Sequence, residues 1–147
     1  MSEHRATIVW VRQSNDFTYM SYNREHDWRF KGGIVVPASA APKFRGSANC
    51  PDPEDAFVAS VSSCHMLTFL AIAAKRKLVV DRYEDAAVGF LDKNAQGRFA
   101  ITRIELHPTI EFAAGTAPDP ATLSAMHDMA HHECFIANSV LTEIKVV

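Results

Sequence analysis

The chain has 147 residues, of which 48% are hydrophobic and 22% charged, and its formal net charge is −2. A chain of this length can bury one hydrophobic core, so we expect a single domain over residues 1–147. The nearly balanced charge gives no electrostatic reason to expect nucleic acid as a partner. The sequence has no low-complexity tract and no block of like charges, which argues against extended disorder.

The N-terminal segment lacks the features of a signal peptide, because its apolar stretch is short and is interrupted by Arg12. The longest continuous apolar run, residues 66–74, is too short to span a bilayer. We therefore expect a cytoplasmic protein with no membrane partner. In that reducing compartment the three cysteines do not favour a permanent disulfide framework.

The first third of the chain is predicted to be rich in strands. Residues 6–13, 17–23 and 27–36 contain the β-branched and aromatic residues that are typical of strands. Within the third segment, Gly32-Gly33 marks a turn or a bulge. Residues 37–53 contain four prolines and are predicted to form an irregular loop.

A long helix is predicted from Glu54 to about Lys77. Asp52 can cap its start, and Pro53 suits the first helical turn. Between residues 56 and 74 the segment is apolar almost all round. A helix without a polar face is buried on all sides, so we expect a central helix that is surrounded by sheet or by a second subunit.

The second half of the chain indicates a hairpin, a helix and a final strand. Residues 83–92 and 98–112 are predicted to be two strands joined by the turn "KNAQG". A second helix is predicted over about 120–132, followed by a helical turn from Cys134 and a strand in "VLTEIKVV". This order, without strict βαβ alternation, predicts the α+β class.

Cys64 lies in the stretch "SSCHMLTFLAIAAKRK", behind two serines and beside His65. Free cysteine most often acts as a small buried hydrophobe, which is the simplest account of Cys64 on local sequence alone. The neighbours Ser62, Ser63 and His65 are unusual in a helix that is otherwise apolar. They indicate that one patch of this helix faces polar groups.

A second cysteine, Cys134, follows 70 residues later. Two thiols that meet in the fold could cycle between dithiol and disulfide, because one thiolate attacks and the other condenses with the resulting sulfenic acid. A nearby cation favours the attacking thiolate. Arg45 and Lys43 are candidates, with arginine better suited because it stays charged and offers several donors. Glu54 is the candidate for orienting it, although helix-start electrostatics is the simpler role for this residue.

A Cys/His metal site is the competing interpretation. His127 and His131 stand four residues apart on one helix face. No CxxC motif accompanies them, so the signal for zinc is weak, and surface or capping roles are simpler for these histidines. The side chains that could take part are Cys64, His65, His127, His131 and Cys134, with His132 beside them.

Three segments resemble the OsmC/Ohr hydroperoxide-reductase superfamily. "PEDAFVASVSSCH" (53–65) is similar to the family's glutamate-to-cysteine segment and keeps its ten-residue spacing. "CFIANSV" (134–140) is similar to the segment around the family's second cysteine, and "KFRG" (43–46) to its upstream loop. The resemblance extends from about residue 30 to the C-terminus.

The resemblance implies an α+β fold of the OsmC type, with antiparallel sheets around long central helices and two chains intertwined as a homodimer. It implies a stress-response hydroperoxide reductase in which Cys64 is the peroxidatic thiol and Cys134 the resolving thiol. Glu54 would orient an arginine that stabilises the thiolate. The substrates would be organic hydroperoxides and, in some members, hydrogen peroxide. Small thiols or lipoylated proteins would supply electrons, without a metal, flavin or other cofactor.

The sequence departs from the family pattern at three places. Lys43 stands where some members carry the arginine, and Ohr-type members take it from near the N-terminus instead. The candidates for the activating cation are therefore Arg45, Lys43, Arg12 and Arg24. His65 replaces a common phenylalanine, and Phe135 replaces a common proline. These departures indicate the OsmC side of the superfamily and leave the preferred substrate open.

Helix geometry bears on how Glu54 and Cys64 could cooperate. On one straight helix they would lie about 15 Å apart and be rotated by roughly 80° from each other. A single arginine does not comfortably bridge that distance. Either the helix is broken near the serines, or Glu54 serves Cys64 of the partner chain. We expect the second arrangement, a site built by the dimer.

An organic hydroperoxide needs an apolar pocket beside the thiolate. The candidate lining residues, for each of which core packing is the simpler role, are Phe44, Phe57, Met66, Leu67 and Phe135. A non-catalytic ligand-binding protein of this fold, and an enzyme that acts on another electrophile, stay open as alternatives. Cys50 is most simply a spare loop thiol.

Overall fold

Two helices and eight strands follow one another in an α+β order, as the sequence predicted. The strands are β1 (Thr7–Val9), β2 (His26–Arg29), β3 (Val35–Ala38), β4 (Val80–Asp85), β5 (Val88–Lys93), β6 (Phe99–Leu106), β7 (Pro108–Phe112) and β8 (Glu143–Val146). The helices are α1 (Pro53–Lys75) and α2 (Pro120–Glu133). This computed structural model describes all residues from 1 to 147, and they divide into two units, Met1–Ala56 and Phe57–Val147.

The N-terminal unit contains an antiparallel sheet in the order β1-β2-β3. The predicted turn at Gly32-Gly33 is confirmed, since these residues have φ angles of 73° and 74°, which glycine adopts without steric cost. The predicted strand over residues 17–23 is wrong. The N–H groups of Ser21 and Tyr22 both donate to the carbonyl of Thr18, so the segment closes into a turn and cannot join the sheet.

The predicted loop over residues 37–53 is largely confirmed, although β3 extends into it and Pro42–Phe44 form a short 3-10 turn. Gly46 follows this turn in the "KFRG" segment. A Cβ atom at Gly46 would lie 1.5 Å from the carbonyl oxygen of Ala40. Only glycine permits so close an approach of two backbone segments.

Helix α1 begins at Pro53 and is capped by Asp52, as predicted. The Asp52 carboxylate accepts from the N–H of Asp55, and the Asp55 carboxylate accepts from the N–H of Asp52. These reciprocal bonds satisfy donors at the helix start. The helix runs without a break to Lys75, so the alternative of a helix broken near the serines is wrong.

The expectation that α1 is buried on all sides is wrong for the single chain. Only one stripe of the helix is buried, at Val61, His65, Phe69, Ile72 and Ala73. Its other apolar side chains stay accessible. Over its most apolar 18 residues the mean hydropathy is 1.7, so by length and composition alone α1 could cross a bilayer. A core helix of a folded domain meets the same criterion.

The two long strands that were predicted over residues 83–92 and 98–112 are each divided in two. The hairpin is confirmed in the pairing of β5 with β6, but β4 leaves β5 and pairs with β7. Asp85, the last residue of β4, stabilises this division, because its carboxylate accepts a hydrogen bond of 2.7 Å from the N–H of His107, between β6 and β7. Strand β8 runs parallel to β6, the one exception to antiparallel pairing.

Helix α2 begins after Asp119, whose carboxylate caps it by accepting from Thr122. Two apolar clusters hold the C-terminal unit together. In the first, Phe69 and Ile72 of α1 pack with Met126 and Ala130 of α2. In the second, Val61 packs against β6. The buried stripe on α1 therefore packs partly against α2 and partly against β6. These contacts orient the helix and so position Cys64.

Candidate functional site

The two cysteines that the sequence pairs, Cys64 and Cys134, lie against each other. The Cys134 thiol lies close enough to Cys64 for that thiol to shift its pKa, and neither cysteine is in a disulfide. Burial raises the pKa of Cys134, and the neighbouring Cys64 thiol raises it further. Ala137 donates its N–H to the Cys134 sulfur at 3.4 Å. Cys134 is thus a buried thiol whose nearest sulfur is that of Cys64.

The end of α2 places Cys134. The helix stops at Glu133, and Cys134 adopts an extended backbone while its N–H still donates to the carbonyl of His131. The side chain of Asn138 donates to the carbonyls of both His132 and Cys134, at 2.8 and 3.1 Å. These bonds fix the turn that carries the second cysteine, the turn that the sequence predicted from Cys134.

An open groove of about 890 Å³ lies over Cys64 in the C-terminal unit. Its lining residues are Ser60, Ser63, Cys64, Leu67, Thr68, Ala71, Ile72, Lys75, Arg76, Met129, Glu133, Phe135 and Ile136. Leu67 is 60% exposed and Phe135 is 81% exposed, so both present apolar surface to a ligand. Cys134 is 0% exposed, which leaves Cys64 as the sulfur that a ligand in the groove can reach.

A second cavity, of about 570 Å³, lies within the N-terminal unit and brings Arg24, Glu54 and Phe44 together. Arg24 is only 8% exposed, and its guanidinium lies 3.6 Å from the ring centre of Tyr22. Two of its nitrogens donate to the carbonyls of Tyr22 and Tyr19. Its Nε is buried without a partner. This buried cation therefore keeps an Nε–H donor without a hydrogen-bond partner.

The other basic candidates lie elsewhere. Arg45 is exposed and caps the short 3-10 turn with a φ of 69°. Lys43 is exposed with its Nζ 5.0 Å from the ring centre of Phe44. Arg12 is exposed and donates to the carbonyl of Asn15. Of the four candidates, Arg24 is the one that shares a cavity with Glu54.

The predicted apolar lining residues are divided between several environments. Leu67 and Phe135 line the groove beside Cys64, and Phe44 lines the cavity that contains Glu54. Phe57 packs against the core cluster at Val61, and Met66 is half-buried outside the groove lining. Cys50 lines a separate small cavity in the N-terminal unit.

His65 and His127 form a hydrogen-bonded pair that the sequence did not predict. Nε2 of His65 lies 3.1 Å from Nδ1 of His127, and Phe69 stacks on His127 with ring centres 4.6 Å apart. No group of three or more His, Cys, Asp or Glu side chains is arranged to hold a metal ion, so the alternative Cys/His set is not assembled. The spacing could have indicated only that His65 is buried, since it falls four residues from both Val61 and Phe69 on the buried stripe.

The three polar residues next to Cys64 have different surroundings. Ser62 donates to the carboxylate of Asp85 at 2.5 Å, Ser63 lines the groove, and His65 binds His127. The sequence indicated the patch but missed Asp85, because that residue lies in a strand far along the chain. Asp85 ties α1 to the corner between the two sheets.

The comparisons with known proteins agree with this fold. The sequence model of the family described as OsmC-like protein matches residues 46–147. An OsmC-like protein of unknown function from Vibrio cholerae O1 biovar eltor is 45% identical over 100% of both chains, with a TM-score of 0.95. The chain therefore belongs to the OsmC-like protein family, and the predicted OsmC-like fold is confirmed.

More distant solved structures share the fold alone. An organic hydroperoxide resistance protein OsmC from Legionella pneumophila is 15% identical, with a TM-score of 0.75 over 99% of this chain and 96% of that one. A putative organic hydroperoxide resistance protein from Vibrio cholerae is 19% identical, with a TM-score of 0.71 over 99% and 90%. No match was found among the curated proteins. The intertwined dimer and the single domain stay predictions.

Because His65 is buried as a neutral imidazole, acid should destabilise the fold. His65 is 1% exposed, and its pKa is lowered to about 4 by burial and by His127 and His131, with Asp85 acting in the opposite direction. The unfolded chain binds this proton near pH 6.5. The contribution of His65 to stability is therefore complete above pH 6.5 and is lost as the pH falls towards 4.

Urea unfolding at pH 7.5 and 4.5 tests this. Between these pH values we expect the free energy of unfolding of the wild type to fall by about 2 kcal/mol more than that of His65→Leu. The control His132→Leu, which alters an exposed side chain on α2, should lose as much as the wild type. Equal losses in the wild type and His65→Leu would contradict the explanation.

Proposed function

We propose that this protein is a thiol-dependent peroxidase that reduces organic hydroperoxides through a Cys64–Cys134 disulfide. The observation that carries the proposal is the contact between a groove-facing thiol and a fully buried one. Each half of the pair meets a different requirement. The attacking sulfur has to be reached by the peroxide, and the resolving sulfur has to meet the sulfenic acid before a second peroxide does.

Burial supports the division of roles. Cys64 lines the open groove, whereas Cys134 has no exposed surface and its pKa is raised by burial. A thiol that stays protonated is a poor nucleophile towards peroxide. Cys134 can still condense with a sulfenic acid at Cys64, because the two sulfurs already lie in contact. We therefore propose Cys64 as peroxidatic and Cys134 as resolving.

The cycle that we propose balances in three steps. The Cys64 thiolate attacks the terminal oxygen of ROOH, the O–O bond breaks, and the leaving alkoxide takes a proton to give ROH and Cys64–SOH. The Cys134 thiol then attacks the sulfenic sulfur, which forms the S–S bond and releases water. Two molecules of a small thiol, or the dithiol of one lipoylated protein, reduce the disulfide and are themselves oxidised to a disulfide.

A guanidinium beside Cys64 would stabilise the charge that develops on the leaving oxygen. Arg24 fits this role best among the basic candidates, because it is buried, has an unpartnered Nε and shares a cavity with Glu54. Since α1 is unbroken, Glu54 stays ten residues along the helix from its own Cys64. We propose that Arg24 and Glu54 of one protomer complete the site around the partner subunit's Cys64.

The unburied apolar surface of α1 supports a dimer. Only one stripe of the helix is covered within the chain, and exposed apolar surface of this kind marks an interface. The solved relatives include proteins described as organic hydroperoxide resistance proteins, which supports the substrate class. We propose that the homodimer acts in the cytoplasm as part of a peroxide stress response.

Two serine variants should separate the roles of the thiols. Cys64→Ser should abolish reduction of cumene hydroperoxide, because no thiolate remains in the groove. Cys134→Ser should allow a single turnover and then over-oxidation of Cys64 to the sulfinic acid. Stopped-flow peroxide consumption and intact-protein mass measure both outcomes, with Cys50→Ser as the matched control. If Cys64→Ser consumes peroxide as fast as the wild type, the mechanism is excluded.

Mixed dimers should reveal whether two chains share the site. We expect Cys64→Ser and Glu54→Gln homodimers to be inactive or nearly so. Coexpression should restore about a quarter of the wild-type rate, because half of the dimers are mixed and each mixed dimer keeps one intact site. No recovery in purified mixed dimers would show that Glu54 and Cys64 act within one chain.

A further inference from the structure

Helix α1 carries Cys64, and helix α2 leads directly into Cys134, so the contact between the helices controls the distance between the sulfurs. Most of that contact is apolar, with Phe69 and Ile72 against Met126 and Ala130. Apolar packing is not directional, and it tolerates a small slide of one helix along the other. A directional contact is needed to fix the register.

The hydrogen bond between His65 and His127 is the one side-chain hydrogen bond that joins α1 to α2. The two rings are nearly parallel, at 6°, and their centres lie 5.4 Å apart. Nδ1 of His65 is buried without a partner. A proton on that nitrogen would be an unsatisfied donor, so the favourable arrangement has Nε2–H of His65 donating to Nδ1 of His127.

Each histidine is connected to one of the cysteines through the chain that follows it or precedes it. His65 directly follows Cys64, and His127 lies one helical turn before His131, whose carbonyl accepts the N–H of Cys134. A slip of one residue along a helix moves a side chain by about 1.5 Å. A disulfide requires Cβ atoms about 3.5–4.5 Å apart, so a slip of that size would impair its formation.

We infer that His65 and His127 are positioning residues for the redox pair, and that their hydrogen bond holds α2 in the register that lets Cys64 and Cys134 join. This inference deepens the proposed function and rests on its disulfide. It gives a role to the histidine that stands beside the reactive cysteine. Burial lowers the pKa of both histidines, which keeps the pair neutral and the hydrogen bond intact near neutral pH.

The test measures the disulfide without using peroxide. Full-length protein with Cys50→Ser is equilibrated in glutathione buffers, where the dithiol and glutathione disulfide give the Cys64–Cys134 disulfide and two glutathione thiols. Trapping of free thiols and mass analysis give the equilibrium constant. The variants are His65→Leu, His127→Leu, the double leucine variant and His65→Gln, with the exposed His132→Leu as the matched control. Urea unfolding of each reduced variant gives its stability.

We expect either single leucine variant to lower the constant about fivefold, the factor that corresponds to one net hydrogen bond. His65→Gln should stay within about twofold of the wild type, because the glutamine amide nitrogen can donate where Nε2 did. In the double leucine variant the free energy of unfolding should recover, since two apolar groups replace the polar pair. Its disulfide constant should stay low, because the directional contact is still missing.

A disulfide constant that is unchanged in His65→Leu would overturn the inference. So would a constant that recovers together with stability in the double leucine variant, because the pair would then contribute packing alone. A wild type that forms no Cys64–Cys134 disulfide in these buffers would overturn it as well. Conversely, the expected pattern in a protein that consumes no hydroperoxide would refute the proposed function and support the positioning role.

Discussion

The contact between the buried Cys134 thiol and Cys64 is the interaction on which the account of this protein depends. This contact depends on the end of α2 at Glu133. The next residue, Cys134, is held by hydrogen bonds from the Ala137 N–H and the Asn138 side chain. The contact also requires α1 to present Cys64 at the edge of its buried stripe, one residue before His65. Cys134 is buried, whereas Cys64 lines an open groove. The two thiols therefore differ in their access to a substrate.

The residues that we propose to complete the site belong to the other unit of the chain. Cys64, Cys134 and the apolar groove lie in residues 57–147, whereas Arg24, Glu54 and their cavity lie in residues 1–56. The unbroken helix α1 leads from Glu54 at its first turn to Cys64 at its middle. The dimer that we propose would bring one protomer's cavity to its partner's groove, so that a cation meets the nucleophile, and it would also cover the apolar surface of α1.

The sequence predicted the parts of the fold that depend on local signals. The Asp52 cap, the Gly32-Gly33 turn, the limits of α2 and the hairpin around "KNAQG" follow from residue types at fixed spacing. The break between β4 and β5 was missed, since it depends on Asp85 meeting the N–H of His107, a contact over 22 residues. Residues 17–23 have a strand-like composition, but local bonds to the Thr18 carbonyl turned them away from the sheet.

Of the candidate site, the cysteine pair and the polar patch were predictable, because motif spacing and unusual residues on an apolar helix are visible in one sequence. The sequence could not rank the basic candidates, since the burial of Arg24 and its unpartnered Nε are visible only in three dimensions. The pairing of His65 with His127 spans 62 residues, and no local pattern announces it. Rules based on local spacing do not predict contacts between polar side chains that are far apart in the sequence.

Disulfide mapping after one equivalent of cumene hydroperoxide tests the central claim most directly. Reduced protein is treated, alkylated and digested, and the cross-linked peptides are identified by mass. We expect a link within one chain between the peptide that contains Cys64 and the peptide that contains Cys134, with Cys50 alkylated. A Cys64 that remains a free thiol, or that is linked only to Cys50 or to another chain, would contradict it.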